Sequence, residues 1–351
     1  MKHREASKIL VRATNWVGDA VMSLPALQAL RQRYPASQIS ILARPWVAGL
    51  YARESFCDEV IPYDAPRGWR GINAKRRLAV ELRRRHFDCA VLLQNAFEAA
   101  VMARWALIPT RIGYDRDGRG WLLTHPIPVP RPGEVNAHQR FYYLELLKRA
   151  GLIEAYSPTA PIRLSGALAA AEAGREWLHN AAMGDWVIGI SPGAAYGGAK
   201  RWLPERFAMA AVQLAAEHDA SVAVFGSQTE QEMCEAVRTL VVSAGVKCEN
   251  FAGVTTLPRL IEMVAACRLF LTNDSGAMHI ASALGVPTVA VFGATDDQAT
   301  GPTGDLSRVV REAVECSPCL LRECPIDHRC MTGVSAGSVV SAASELIEIQ
   351  K

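Results

Sequence analysis

The stretch LFLTNDSGAMHIASALGVPTVAVFG, residues 269–293, holds two short apolar runs separated by a polar break and a helical stretch. LFLTND (269–274) and TVAVFG (288–293) have the length and the β-branched and aromatic content of buried strands. Residues 276–284 read as the helix between them. A strand, a helix and a second strand in so few residues imply a parallel pair with the helix crossing one sheet face.

The same alternation extends in both directions. WVIGIS (186–191) and SVAVFG (221–226) precede it as strands, with helices near 204–217, 229–243 and 257–266, and another follows at 335–349. In the first half KILVRAT (8–14), QISILAR (38–44), DEVIPY (58–63), DCAVLLQ (88–94) and TRIGYD (110–115) read as strands. Residues 20–34, 71–86, 98–107 and 137–150 show helical spacing. The expected class is α/β, with two tandem Rossmann-like doubly wound domains and a cleft between them. The segment SPTAPIRLSG (157–166) reads as the linker. The expected boundaries are 1–160, 161–334, and a C-terminal helix at 335–351 that packs back on the N-terminal domain. Ligands of such sheets bind outside the carboxyl ends of the strands.

Composition is that of an ordinary globular chain: 351 residues, half of them hydrophobic and about a fifth charged. No uncharged apolar run reaches 18 residues, so no transmembrane segment is expected, and MKHREASKIL has no signal-peptide core. The expected location is cytoplasmic. Residues 1–155 carry 24 Lys and Arg against 14 Asp and Glu, and residues 156–351 carry 14 against 21. The basic excess concentrates in RGWRGINAKRRLAVELRRRHFD (67–88), either a solvated helix face or a surface for a polyanion. No RNP, helix-turn-helix or finger pattern accompanies it, so nucleic acid is not an expected partner.

Three segments carry candidate chemistry. In NWVGDAVMSLPAL (15–27), Asp19 stands where the first strand gives way to a helix, as an N-cap or as a general base. In 269–297, Asp274 ends a strand, and the backbone N–H groups of Ser275, Gly276, Ala277 and Met278 at a helix start suit a diphosphate. His279 follows in the first turn, and Thr295 in GATDD is a further donor at the same edge. The third segment, SPGAAYGGAKRW (191–202), looks like a phosphate loop but fails the Walker pattern. Ala199 stands where the lysine belongs, and Arg201 follows Lys200 where Ser or Thr would hold magnesium. The glycine turn could still form an anion nest, with Lys200 as a mobile positive charge.

Nine cysteines without a signal peptide argue against a disulfide framework. Cys316, Cys319, Cys324 and Cys330, with His328 among them, match no standard metal-site spacing. Reduced thiols in a stabilising loop, a labile disulfide, and a zinc or iron–sulfur site stay open.

In this order the motifs NWVGDAVMSLPAL, SPGAAYGGAKRW, TNDSGAMHIASALGVPTVAVFG and CSPCLLRECPIDHRCM resemble those of the ADP-heptose:lipopolysaccharide heptosyltransferases, glycosyltransferase family 9, across nearly the whole chain. The resemblance implies a GT-B fold and transfer of L-glycero-D-manno-heptose from ADP-heptose, with inversion and without a required metal or other cofactor. It implies Asp19 as general base, Lys200 as stabiliser of the departing ADP, and Asp274 and His279 at the donor. Ser275, Gly276, Ala277 and Met278 would hold the diphosphate, with Ala195, Tyr196, Glu230 and Thr295 as further donor contacts. The partner implied is a phosphorylated Kdo–lipid A core acceptor at the inner face of the inner membrane, facing Arg67, Arg70, Lys75, Arg76 and Arg77. The Cys-rich tail and N-W-V-G-D are closest to the branch that adds the second core heptose, so that heptosyl-Kdo2-lipid A is the acceptor. Transfer of the first or a later heptose, and a non-catalytic nucleotide-sugar-binding protein, are the alternatives.

Overall fold

Val187–Ser191, Leu269–Asn273 and Thr288–Phe292 are buried at every residue, as strands covered on both faces must be. A computed structural model describes residues 6–66 and 68–349, and divides the chain into two units, Met1–Ala160 and Pro161–Lys351.

The first unit contains β1 (Lys8–Arg12), β2 (Gln38–Ala43), β3 (Glu59–Pro62), β4 (Cys89–Leu92), β5 (Thr110–Tyr114) and β6 (His125–Ile127). They pair in parallel in the order β3-β2-β1-β4-β5-β6. The second unit contains β7 (Val187–Ser191), β8 (Ser221–Val224), β9 (Cys248–Asn250), β10 (Leu269–Asn273), β11 (Thr288–Phe292) and β12 (Ser307–Arg311). Their order is β12-β11-β10-β7-β8-β9, again parallel throughout. Counted from its own first strand, each sheet therefore runs 3-2-1-4-5-6, the doubly wound Rossmann order. The winding reverses between β1 and β4 in one unit and between β7 and β10 in the other. Ligands of this fold bind at that switch point.

The sequence reading is extended at three strands, one long helix and three helices of four residues, Pro45–Ala48, Asp297–Thr300 and Arg329–Thr332. β6, β9 and β12 lie at or beside sheet edges, and β6 and β9 are only three residues long. Pro126, which lacks an N–H, is tolerated in β6 because that strand is an edge. The helix Ala167–Asn180 follows the linker and packs on the helix Leu257–Ala265. Gly174 permits that approach, since a Cβ there would lie 1.9 Å from the Glu262 carbonyl oxygen.

The C-terminal helix Ala336–Ile349 was expected to return to the N-terminal domain. Its apolar face, Val339, Val340, Ala343, Leu346 and Ile347, is instead part of the core of the second unit. There it packs on the helix Pro204–His218 and on β11 and β12. The spacing of those residues makes one continuous stripe, and each large aliphatic side chain so buried stabilises the unit by roughly 1.5–3 kcal/mol.

Candidate functional site

In the second unit β7 and β10 deliver their loops to the switch point. Asn273, wholly buried at the end of β10, donates from Nδ2 to the Pro192 carbonyl (2.6 Å), and its Oδ1 accepts from Trp202 N–H (3.0 Å). One amide side chain thus ties both ends of the 192–202 loop to β10. The next residue, Asp274, accepts at Oδ2 from Lys200 Nζ (2.6 Å), Thr295 Oγ1 (2.6 Å) and, more weakly, Thr300 Oγ1 (3.4 Å). The Lys200 and Asp274 side chains are 12% and 5% exposed. One carboxylate oxygen of Asp274 thus gathers the lysine and the two hydroxyls at a single point.

The glycines of the 193–198 turn face protein. A Cβ on Gly193 would meet Glu230 Oε1 at 2.1 Å, one on Gly197 the Arg322 carbonyl oxygen at 2.2 Å, and one on Gly198 Glu323 Oε2 at 2.4 Å. The turn N–H groups are also engaged: Gly198 N–H donates to Glu323 Oε1 (3.0 Å) and Ala199 N–H to Arg322 O (2.9 Å). Lys200 and Arg201 N–H donate to the carbonyls of Gly197 and Gly198. The donors from 198 to 201 are thus closed by the protein, which confines any anion nest to the N–H groups before Gly198. What the loop presents is the Lys200 ammonium, which also lies 4.8 Å from the centre of the Tyr196 ring. Ala195, beside Tyr196, is exposed.

Ser275 caps the helix Gly276–Ala283, its hydroxyl accepting from Met278 N–H (3.3 Å). That N–H is therefore turned to the cap, while Gly276 and Ala277 begin the helix at the carboxyl end of β10. His279 lies in the same helix at 5% exposure. Glu230 sits in a capping box, its Oε2 accepting from Ser227 N–H and Ser227 Oγ, both at 2.8 Å. It is thereby fixed against Gly193.

In the first unit the N-W-V-G-D loop follows β1. Asn15 is held through its Oδ1 by Arg12 (2.8 Å) and through its carbonyl by Trp46 Nε1–H (2.9 Å). Trp16, not Asp19, occupies the N-cap of the helix Val17–Met22, so Asp19 is the third helical residue and the N-cap reading is replaced. Tyr143 Oη–H donates to Asp19 Oδ1 at 3.4 Å. Burial first, and then the Asp19 charge, raises the Tyr143 hydroxyl well above its ordinary range, so it remains a donor. Tyr143 comes from a helix, Gln139–Arg149, with no motif to mark it.

The basic candidates divide. Arg67 lies outside the described residues. Arg70, Arg76 and Arg77 are exposed. Lys75 is buried on the inner face of the helix Ile72–Arg84 and pairs with Glu98 at 2.8 Å, so its charge is neutralised inside the fold. The nine cysteines are free, and among the described residues no group of three or more His, Cys, Asp or Glu side chains is disposed to hold a metal. Burial, followed by the nearby thiols of Cys316, Cys319 and Cys324, raises the Cys330 thiol.

Comparison with known proteins places this geometry. Residues 75–329 match the model of glycosyltransferase family 9 (heptosyltransferase). The chain is 32% identical over 308 residues to lipopolysaccharide heptosyltransferase 2 of Escherichia coli strain K12, covering 87% of this chain and 88% of that one. It is 33% identical over 308 residues to the Salmonella typhimurium enzyme of the same name, with the same coverage. The solved structure of E. coli ADP-heptose lps heptosyltransferase II superposes with a TM-score of 0.84 at 28% identity, covering 98% of this chain and 99% of that chain. Two tandem 3-2-1-4-5-6 sheets are the GT-B architecture, and the chain belongs to glycosyltransferase family 9, the heptosyltransferases.

Proposed function

We propose that this glycosyltransferase moves L-glycero-D-manno-heptose from ADP-heptose to the first heptose of heptosyl-Kdo2-lipid A, with inversion at the anomeric carbon. Asp19 takes the proton of the acceptor hydroxyl, and that oxygen forms the new bond to the anomeric carbon. The bond to the diphosphate breaks, its electron pair leaves with ADP, and the Lys200 ammonium neutralises the charge that develops. Lys200, rather than a metal or other cofactor, supplies the counter-charge. The observation that carries the reading is the Lys200–Asp274 pair at the β7/β10 switch point, with Thr295 and Thr300 on the same carboxylate oxygen. The likeness to the E. coli and Salmonella enzymes supports the choice of donor and acceptor.

The donor would lie along the start of the helix Gly276–Ala283, with Glu230 near the ribose and His279, Ala195 and Tyr196 around the diphosphate. The acceptor's lipid suits a peripheral position on the cytoplasmic face of the inner membrane. Among the described residues no helix is long and apolar enough to cross a membrane. Exposed Arg70, Arg76 and Arg77, with Arg76 5.8 Å from the centre of the exposed Trp105 ring, offer an anionic lipid surface both charge and an amphipathic ring.

The test is incubation with ADP-heptose and either Kdo2-lipid A or its heptosylated form. Transfer to the heptosylated acceptor, abolished by Lys200→Ala, is expected. Transfer to Kdo2-lipid A alone would reassign the chain to the first heptose, and no transfer to either would overturn the acceptor class.

A further inference from the structure

The segment Leu320–His328 forms four hydrogen bonds to the loop that carries Lys200. Tyr196 Oη–H donates to the Leu320 carbonyl (2.8 Å), Gly198 N–H to Glu323 Oε1 (3.0 Å), and Ala199 N–H to the Arg322 carbonyl (2.9 Å). His328 Nε2 lies 3.0 Å from the Ala199 carbonyl. A carbonyl can only accept, so His328 carries its proton on Nε2. The Arg322 guanidinium lies 5.2 Å from the centre of the Tyr196 ring, the ring that Lys200 also approaches. The same segment reaches the second loop of the site, where Leu320 N–H donates to Ala294 O (2.8 Å), and just ahead of it Ser317 Oγ–H donates to Gly293 O (2.6 Å). That loop supplies Thr295 to Asp274.

Two further features show that this contact is built in. Gly197 and Gly198 leave no room for a Cβ because the Arg322 backbone and the Glu323 carboxylate occupy the space. Leu320 and His328, at the two ends of the segment, are non-glycine residues at φ of 57° and 58°. Side chains rarely adopt that region, and surrounding contacts must hold them there.

We infer that residues 320–328 are a strap that positions Lys200, with Glu323 and His328 as positioning residues for the transfer reaction. The glycines that make residues 193–198 look like a phosphate loop therefore serve Glu230 and the strap, and the anion meets the lysine instead. The role in catalysis rests on the function proposed above for Lys200. The strap itself is read from geometry alone, and the two can fail separately.

The test uses the full-length protein and the variants Glu323→Ala, Glu323→Gln, His328→Ala and Gly197→Ala. One arm measures modification of the Lys200 amine by an acylating reagent, quantified by peptide mass spectrometry. The other measures kcat and KM for heptose transfer from ADP-heptose, and a thermal midpoint is recorded for each variant. Glu323→Ala, His328→Ala and Gly197→Ala are expected to raise Lys200 labelling and to lower kcat by roughly ten- to a hundredfold, with KM changed far less, as displacement of a stabilising charge requires. Glu323→Gln keeps an oxygen that accepts from Gly198 N–H and restores most of both. Labelling and kcat within about twofold of the parent in all three disrupting variants would overturn the strap; effects of this size that track only a lowered thermal midpoint, unrescued by Glu323→Gln, would also overturn it. If the parent transfers nothing while the variants expose Lys200, the strap stands and the proposed reaction falls.

Discussion

Lys200 and Asp274, 74 positions apart in the chain, meet at 2.6 Å between Nζ and Oδ2. One comes from the loop after β7 and the other from the end of β10, so the pair bridges the point where the sheet reverses its winding. A largely buried ion pair with two added hydroxyl donors holds the ammonium at one place, which a flexible four-carbon side chain would not otherwise keep.

Removing the carboxylate should therefore destabilise the second unit. Asp274→Ala leaves Lys200 and Thr295 without their acceptor, and a loss of about 3 kcal/mol in unfolding free energy is expected. Asp274→Asn, which keeps one acceptor oxygen, should lose less. Urea denaturation measures both, and a change in Asp274→Ala below about 0.5 kcal/mol would show that the pair is not structural.

Asp19→Asn keeps the shape of the side chain and its contact with Tyr143 but cannot accept a proton. Turnover should fall by roughly 10²- to 10⁴-fold, while ADP affinity measured by calorimetry stays that of the parent. Near-parental turnover would remove Asp19 from the role of base.

Gly174→Ala tests the helix packing of the second unit. At an open helical position alanine is favoured over glycine by about 1 kcal/mol. Here the new methyl would lie 1.9 Å from the Glu262 carbonyl oxygen, so a loss of roughly 2 kcal/mol is expected instead. The sign of the change in thermal midpoint decides the point.

Asp88 carries a pH dependence. Burial opposes its charge, but hydrogen bonds from Ser7 Oγ–H and from the N–H groups of Lys8 and Ser7 outweigh it and hold the carboxyl below its usual range. With the folded value depressed, its stabilising contribution is complete above the unfolded value of about 4 and fades as pH falls through the lower folded value. Asp88→Asn should thus be less stable than the parent at neutral pH, with the difference shrinking below about pH 4. A pH-independent difference in denaturation midpoints would overturn this assignment.

How much of this was legible in the sequence follows from burial. The central strands are continuous apolar runs because helices cover both faces, and they stand out. β6 and β9 are three residues long and the half-buried β12 contains two arginines, so edge position left no such run. The helix Ala167–Asn180 was passed over because its buried positions include Ala170 and Gly174, too small to register as an apolar stripe. Within the site, Asp274, Ser275 and Gly276 are contiguous and announced themselves as a strand running into a helix. Tyr143, Glu323 and His328 reach their partners from more than 120 residues away, through contacts that exist only after the sheet of their own unit is wound. The glycines of the 193–198 turn were visible, but their purpose was not, because it depends on what occupies the space beside them.

The strap also sets an order of assembly along the chain as it is made. β7, which leads into the Lys200 loop, and β10, which is followed by Asp274, are complete once residue 274 has emerged, yet the loop's anchors at 320, 322, 323 and 328 are then still untranslated. Trp202, at the end of that loop, waits longer still for the Val334 carbonyl that accepts its indole N–H. A chain ending before residue 320 would retain the loop and its lysine but lack every one of these anchors. Competence should therefore arrive late, with the last few dozen residues.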